Sequence, residues 1–337
     1  MKNLIQATMA ISVLSLAASS AQAGRETGNG GNVVVCRNAA DVVTSVELLD
    51  YFEARVVRHF EIDIGAAGNS VDEKLAAVSA RLARVAPKKA HRIAATEASF
   101  SAQANFLHGV TLLPTPDSHH ILVPDGCKIE QAVNQKDPEF PEDRLFTVNG
   151  DLWNLADAST KAGLILHETL YHEALKNPAV KDSVAVRYLN GYLSSTKFAG
   201  LSVPGYHLVE NFIPMPTSEQ MGMELKSAKF SESGVVLSGT ALSGSVVQLT
   251  GQTPWNLSGR TQSFFENGSP NCLSIVKGAT VSAYGVNWQL AYPSNQGNWA
   301  VEDPLQPMVC FQPSGAVKML ASSFCIPSRR AIQAGSL

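Results

Sequence analysis

Leu164-Ile165-Leu166-His167-Glu168-Thr169-Leu170-Tyr171-His172-Glu173-Ala174-Leu175 is the stretch that decides how this chain folds. It places two histidines and two glutamates within seven residues of an otherwise apolar segment. Asp157 or Ser159 can cap the start of a helix here, and Asn177-Pro178 ends it, because proline disfavours helical backbone at the residue before it. The few polar positions predict a largely buried helix, whose ionisable side chains then need partners.

One interpretation of this helix is a zinc site. His167 would be a metal ligand and Glu168 the general base that activates metal-bound water. The second candidate ligand, His172, follows His167 by five residues, which turns it about 140° away on a regular helix. A wider π turn would bring the two imidazoles together. The candidates for a third ligand are Asp182, His207 and Glu210.

The other interpretation is structural. Glu168 and His172 are four residues apart and would face each other as an ion pair or hydrogen bond, with His167 beside Tyr171 in the same way. Glu168 would then be a buried carboxylate tied to an arginine, for which Arg187 is the candidate. The sequence leaves both interpretations open. The supporting positions are Tyr171, Glu173, Arg187 and His207.

The first 23 residues have the features of a signal peptide. Lys2 supplies the positive start, the segment 11–16 is apolar, and Ala21-Gln22-Ala23 is a cleavage site. No later segment has the 18 or so consecutive apolar residues of a membrane span. We therefore expect an exported protein, periplasmic or extracellular, without an integral membrane segment.

The composition narrows the class of partner. Charged residues make up 16% of the chain, the net charge is −3, and the basic residues are dispersed, which argues against nucleic acid. Apolar residues at 45% are ample for a core. In an oxidising compartment we expect one disulfide between Cys36 and Cys127, and a second among the other three cysteines, Cys272, Cys310 and Cys325.

Apolar residues recur at helical spacing on both sides of the central helix. The segments are 46–60, 71–85, about 88–107 and 180–193. With the central helix they predict a mostly helical domain over residues 24–213.

After Pro216 the composition shifts to Gly, Ser, Thr and Val, which predicts a second domain over residues 220–330. The form Phe-x-x-[Ser/Asn]-Gly occurs at Phe230–Gly234, Phe264–Gly268 and Phe311–Gly315. Glycine after Ser or Asn supplies the positive φ of a hairpin turn, so an antiparallel β domain is expected. Its tryptophans either pack in a core or form a binding face for glycan or peptide; they are Trp255, Trp288 and Trp299.

Three resemblances to known groups of proteins add to these predictions. The spacing His167-Glu168-x-x-x-His172 is similar to the His-Glu-x-x-Gly-His motif of dipeptidyl-peptidase III-type zinc enzymes, although Tyr171 replaces the glycine and no Glu-Glu pair follows. The Phe-x-x-Asn-Gly turns resemble those of hairpin-repeat modules in bacterial surface proteins. Segments across residues 28–195 resemble a group of uncharacterised secreted proteins of predatory bacteria; these segments include Gly-Asn-Gly-Gly-Asn-Val-Val-Val-Cys36, Cys127-Lys-Ile-Glu-Gln131 and Leu166-His167-Glu168.

The last resemblance implies a role for His167, Glu168 and Tyr171. In that group the helix reads His-Glu-Ala-x-Tyr-Arg, which implies an arginine where this chain has His172 and argues against His172 as a ligand.

The sequence therefore predicts an α+β fold, with a mostly helical N-terminal domain followed by an antiparallel β domain. Two functions follow. The first is a non-catalytic exported binding or envelope protein whose β domain meets a protein, peptide or glycan. The alternative is a secreted zinc-dependent hydrolase that uses the helix from His167 to His172.

Overall fold

In a computed structural model of the chain, the described residues are 31–114, 121–213, 215–276, 279–283, 286–290, 308–321 and 325–327. The predicted signal peptide, residues 1–23, lies outside them. The first half alternates short strands with helices: β1 (Asn32–Arg37), β2 (Val43–Leu48), α1 (Leu49–Val56), α2 (Val71–Ala83), α3 (Pro87–Gln103), β3 (Ala104–Leu107), β4 (Cys127–Gln131), β5 (Val133–Gln135), β6 (Phe146–Asn149), α4 (Gly150–Leu155), α5 (Ala158–Ala174), α6 (Val184–Leu193), a 3-10 turn (Thr196–Phe198) and α7 (Val203–Glu210).

Helix α5 is the centre of this half. It packs against α2, α3 and α6, and its apolar side chains lie in one core with those helices. A Cβ at Gly163 would lie 2.5 Å from Leu48 Cδ2 and 2.7 Å from Tyr51 Cζ, so the glycine permits the close approach of α1 to α5. That approach brings α1 within reach of the His-Glu stretch.

The strands of the first half form two small sheets. One is antiparallel with the strand order β2-β1-β4, and the other has the order β3-β6-β5, in which β3 and β6 run parallel. The predicted helix over 46–60 is wrong at both ends, because Val46 and Leu48 pair with β1 and the helix α1 ends at Val56. The predicted helix over 88–107 likewise ends at Gln103, since Ala104–Leu107 pairs with β6.

The second half consists of strands: β7 (Ser218–Gln220), β8 (Met223–Phe230), β9 (Val236–Ala241), β10 (Val246–Val247), β11 (Trp255–Asn256), β12 (Thr261–Phe264), β13 (Pro270–Ser274), β14 (Thr280–Ala283), β15 (Val286–Leu290), β16 (Met308–Phe311), β17 (Val317–Ala321) and β18 (Cys325–Pro327). Seven of them form one antiparallel sheet in the order β17-β16-β13-β12-β9-β8-β7. These elements confirm the predicted α+β class.

The three Phe-x-x-[Ser/Asn]-Gly motifs are confirmed as hairpin turns. They join β8 to β9, β12 to β13 and β16 to β17, and each glycine has φ between 80° and 84°. A type I turn followed by a left-handed glycine suits the twist of a hairpin. Asn267 Nδ2 donates to Pro313 O over 3.5 Å, so two of the turns touch across the sheet.

Two disulfides cross-link the chain, as predicted. Cys36–Cys127 joins β1 to β4, and Cys272–Cys310 joins β13 to β16. None of the helices in the described ranges has the length and apolar character needed to cross a membrane.

Candidate functional site

Helix α5 is regular throughout the stretch that carries His167 and His172. Asp157 caps it by accepting from Thr160 N over 2.7 Å, and every residue from Ala158 to Ala174 is α-helical. Without a wider turn, the two imidazoles point in directions about 140° apart. His167 is buried among α1 and α6, whereas His172 is partly exposed. The helix therefore does not bring the two histidines together.

His167 is held by α1 and α6. Its Nδ1 lies 2.7 Å from Asp50 Oδ2, which also accepts from Asn190 Nδ2 over 2.7 Å. Burial disfavours the imidazolium, but the charge and hydrogen bond of the Asp50 carboxylate outweigh it and raise the pKa of His167 to about 9. The buried His167 Nε2 and Asp50 Oδ1 have no hydrogen-bond partner among the described residues.

Glu168 is fully buried and both of its carboxylate oxygens are occupied. Gly31 N donates to Oε1, and Gln135 Nε2 donates to Oε2 over 2.9 Å. Burial raises the pKa of this carboxyl to about 7, although the charge of His167 acts in the opposite direction. A carboxylate fixed in this way connects α5 to β5 and to the residue before β1.

The predicted partners of Glu168 are wrong. Gly31 and Gln135, and not His172, donate to the Glu168 carboxylate. Arg187 pairs instead with Glu53 of α1, with Nε 3.2 Å from Oε1, because it lies on α6, which packs on α1. The expected neighbourhood of His167 and Tyr171 is confirmed: their ring centroids are 6.1 Å apart.

The last turn of α5 points toward the β half. Glu173 accepts from Arg92 Nη2 over 2.9 Å and from Lys176 Nζ over 2.5 Å, and Arg92 also pairs with Glu224 of β8. Beside this cluster, burial and the charge of Lys176 lower the pKa of His172. An ionic chain thus runs from α5 through α3 to β8.

The downstream candidates for a third ligand have partners of their own. Asp182 Oδ1 accepts from Val184 N over 3.1 Å at the start of α6. His207 lies between two carbonyl oxygens, with Nδ1 3.0 Å from Gly234 O and Nε2 2.9 Å from Glu219 O. Glu210 pairs with Lys89. Within the described ranges no group of three His, Cys, Asp or Glu side chains could hold a metal ion. Zinc binding by His167 and His172 stays a prediction.

A cleft lies where the helical half meets β8. Its volume is about 410 Å³, and its walls are the segments after α5 and α7, residues 215–218 and the strand from Leu225 to Phe230. Glu210 lines it, and Glu210 Oε2 is buried without a partner. A cavity of this size lies within the range of small-molecule sites, and more than half of its lining residues are polar or charged. The buried pair His167-Glu168 is not part of its lining.

The structure decides between the two alternatives for the tryptophans, a core position or a binding face, in the case of Trp255. Trp255 is 1% exposed, and its ring lies 6.2 Å from that of Phe311 in the β core, where Nε1 donates to Thr280 O. Packing in the core therefore accounts for Trp255. The side chain of Trp288 and all of Trp299 lie outside the described residues.

Sequence reasoning missed the partners of the His167-Glu168 pair and the position of Glu210 in the lining of the cleft. Asp50, Asn190 and Gln135 around the His-Glu pair carry no motif, and Glu210 was considered only as a metal ligand. Asp50 gave one signal, because it is a charged residue in an otherwise apolar run at the start of α1.

No family model, curated protein or solved structure matches this chain.

Proposed function

We propose that this chain is a non-catalytic exported binding protein in which α5 is a structural core helix and the cleft beside β8 is the ligand site. The observation that carries the proposal is the state of Glu168. A general base needs an oxygen that a water or substrate can approach within hydrogen-bond reach. Both Glu168 oxygens are held by Gly31 and Gln135, and the residue is 0% exposed.

Export is supported by the disulfides. Two bridges fit an oxidising compartment, where thiols are not kept reduced. With the predicted signal peptide, they favour the periplasm or the medium as the place of action.

A zinc-dependent hydrolase is the alternative function, and one observation favours it. Asp50 holds His167 Nδ1 and leaves the buried Nε2 without a partner, which is how a carboxylate orients an imidazole toward a metal. In that case His167 would hold the zinc, and Glu168, with a pKa near 7, would be the base.

Metal content and the variant Glu168→Gln separate the two functions. We expect the untagged mature chain, dialysed against a mild chelator, to contain far less than one zinc per chain by elemental analysis. Glu168→Gln should lower the free energy of unfolding by about 1–3 kcal/mol, because an amide cannot accept from both Gly31 and Gln135. The exposed Glu232→Gln is the control and should have no effect.

The opposite result would replace the proposal by the hydrolase. It consists of near-stoichiometric zinc that is lost in His167→Ala, together with a peptidase activity that Glu168→Gln abolishes without changing stability.

A further inference from the structure

The imidazole of His207 on α7 meets a hydrogen-bond acceptor at each of its two nitrogens. Nδ1 lies 3.0 Å from Gly234 O in the turn between β8 and β9, and Nε2 lies 2.9 Å from Glu219 O on β7. A carbonyl oxygen can only accept, and a neutral imidazole carries one N–H. Both contacts are therefore hydrogen bonds only when both ring nitrogens carry hydrogen. In a neutral ring, one nitrogen lone pair faces a carbonyl oxygen at a site where His207 is 1% exposed.

The turn between β8 and β9 is docked on α7, unlike the equivalent turn between β16 and β17. A Cβ at Gly234 would overlap Pro204 O and lie 2.9 Å from Leu208 Cγ, so this approach needs a glycine. A Cβ at Gly315, the glycine of the other turn, would meet no described atom within 4 Å. Within the described residues, the contact of His207 Nδ1 with Gly234 O is the only hydrogen bond between α7 and the docked turn.

The Glu219 carboxylate is a counter-charge for a doubly protonated His207, since it belongs to the residue whose carbonyl meets Nε2. Glu219 is buried, accepts from the amides of Lys88 and Lys89, and forms no ion pair with any described side chain. The other charged groups on the surrounding elements are paired with each other or exposed. The pairs are Glu210–Lys89 and Glu224–Arg92, Tyr206 OH donates to Glu210, and Lys226, Lys229 and Glu232 are exposed.

We propose that His207 is a proton-dependent clamp that fixes α7 to the β8–β9 turn and so controls one wall of the cleft. With hydrogen on both nitrogens, the ring joins α7, β7 and the turn. When one proton leaves, the turn is the part released, because β7 remains held by its pairing with β8 and by the amides on Glu219. Phe230 lines the cleft, and its ring centroid lies 5.4 Å from that of His207, so the release reaches the cleft wall. The clamp itself needs no ligand; its effect on the cleft rests on the proposed binding function.

Two measurements on the mature chain between about pH 5 and 9 test the clamp. Nitrogen-15 spectra of the histidine rings, assigned through correlations to the backbone, count the hydrogens on the two nitrogens of His207. Amide hydrogen exchange, corrected for its intrinsic pH dependence, gives the protection of residues 231–235. The turn over residues 312–316 is the internal control, because it makes the same two backbone hydrogen bonds and none to a described histidine.

We expect two hydrogens on the His207 ring at the acidic end and one at the alkaline end. The protection of residues 231–235 should fall about tenfold in step with that loss, the worth of one hydrogen bond, while residues 312–316 keep theirs. His207→Gln should abolish the pH dependence, because an amide does not titrate. His91→Gln, at an exposed position on α3, should change nothing.

The parent chain decides the outcome even where His207→Gln fails to fold. A His207 ring with the same number of hydrogens over the whole pH range overturns the clamp. So does a ring that titrates while the protection of residues 231–235 stays level with that of 312–316. The zinc and Glu168 measurements do not involve His207, so the proposed function stands or falls separately.

Discussion

The helical half and the β half of this chain bury different chemistry. The core around α5 encloses Asp50, His167 and Glu168 next to its apolar side chains. In the β half, β7 carries the buried Glu219, which accepts from the amides of Lys88 and Lys89 of the helical half. From β8 onward, the buried polar side chains of the described residues are three serines and Gln262, and none of them is ionisable. The β core depends on apolar packing and short-range hydrogen bonds, whereas the helical core also depends on charges that must find each other. Removing one partner should therefore cost more in the helical half.

The largest effect is expected for Asp50→Ala. It leaves the buried His167 imidazolium without its carboxylate, and removal of one partner of a buried pair costs about 3–5 kcal/mol. Urea unfolding followed by circular dichroism measures the loss. Asp137→Ala is the control, since Asp137 is exposed in the loop after β5 and its change should stay within about 0.5 kcal/mol.

A double variant tests whether the unpaired charge of His167 is the reason for the loss of stability in Asp50→Ala. Combining Asp50→Ala with His167→Leu removes both partners, and replacing a buried pair by apolar residues is often nearly neutral. We expect the double variant to recover much of the stability that Asp50→Ala loses. If the two losses simply add, the pair does not act as a unit, and the contrast between the cores disappears.

A smaller effect is expected in the β core for Gln262→Leu. Gln262 Oε1 accepts from Ser274 N over 2.7 Å, and its Nε2 donates to Arg260 O over 2.8 Å. Leucine leaves these buried groups unpaired, at a cost of about 1–3 kcal/mol. The same urea titration should show no change for the exposed Gln312→Leu. A loss as large as that of Asp50→Ala would mean that the two cores depend equally on polar contacts.

The difference between local and long-range contacts explains which parts of the fold the sequence could predict. The hairpin turns depend on residues within one motif, such as Phe311–Gly315, and the start of α5 on Asp157, so local reasoning found them. The pair Cys36–Cys127 followed from the compartment and the number of cysteines, whereas the sequence left open which two of the last three cysteines form the second bridge, Cys272–Cys310. The strand β2 was missed because Leu48, Leu49 and Phe52 continue a helical spacing across the junction, and only pairing with β1 makes Val46–Leu48 extended.

The partners of His167 and Glu168 could not be predicted from local sequence. Asp50 lies 117 positions from His167 and 140 from Asn190, and their contact depends on how α1, α5 and α6 pack. Helix geometry alone did indicate that His167 and His172 diverge, and the regular helix agrees. What it could not indicate is that Gln135 and Gly31 would take both oxygens of Glu168.

The last effect is the one that depends most sharply on pH, and it concerns Glu97 on α3. Burial raises the pKa of this carboxyl to about 7, even though Ser79 Oγ donates to Oε2 over 3.2 Å, and Oε1 has no partner. In the unfolded chain the pKa returns to about 4.5. The contribution of Glu97 to stability is thus fully present below pH 4.5 and is lost as the pH rises through 7. Glu97→Gln removes this dependence, so the variant should gain stability relative to the parent between pH 4.5 and 8, as measured by urea unfolding at both values.

Glu73→Gln is the control of opposite sign: the hydrogen bonds from Ser70 lower the Glu73 pKa, so its contribution is present above pH 4.5 and lost only as the pH falls further. A parent and a Glu97→Gln variant that differ by the same amount at both pH values would show that the pKa of Glu97 is the same in the folded and the unfolded chain, and that the helical half tolerates this charge without a partner.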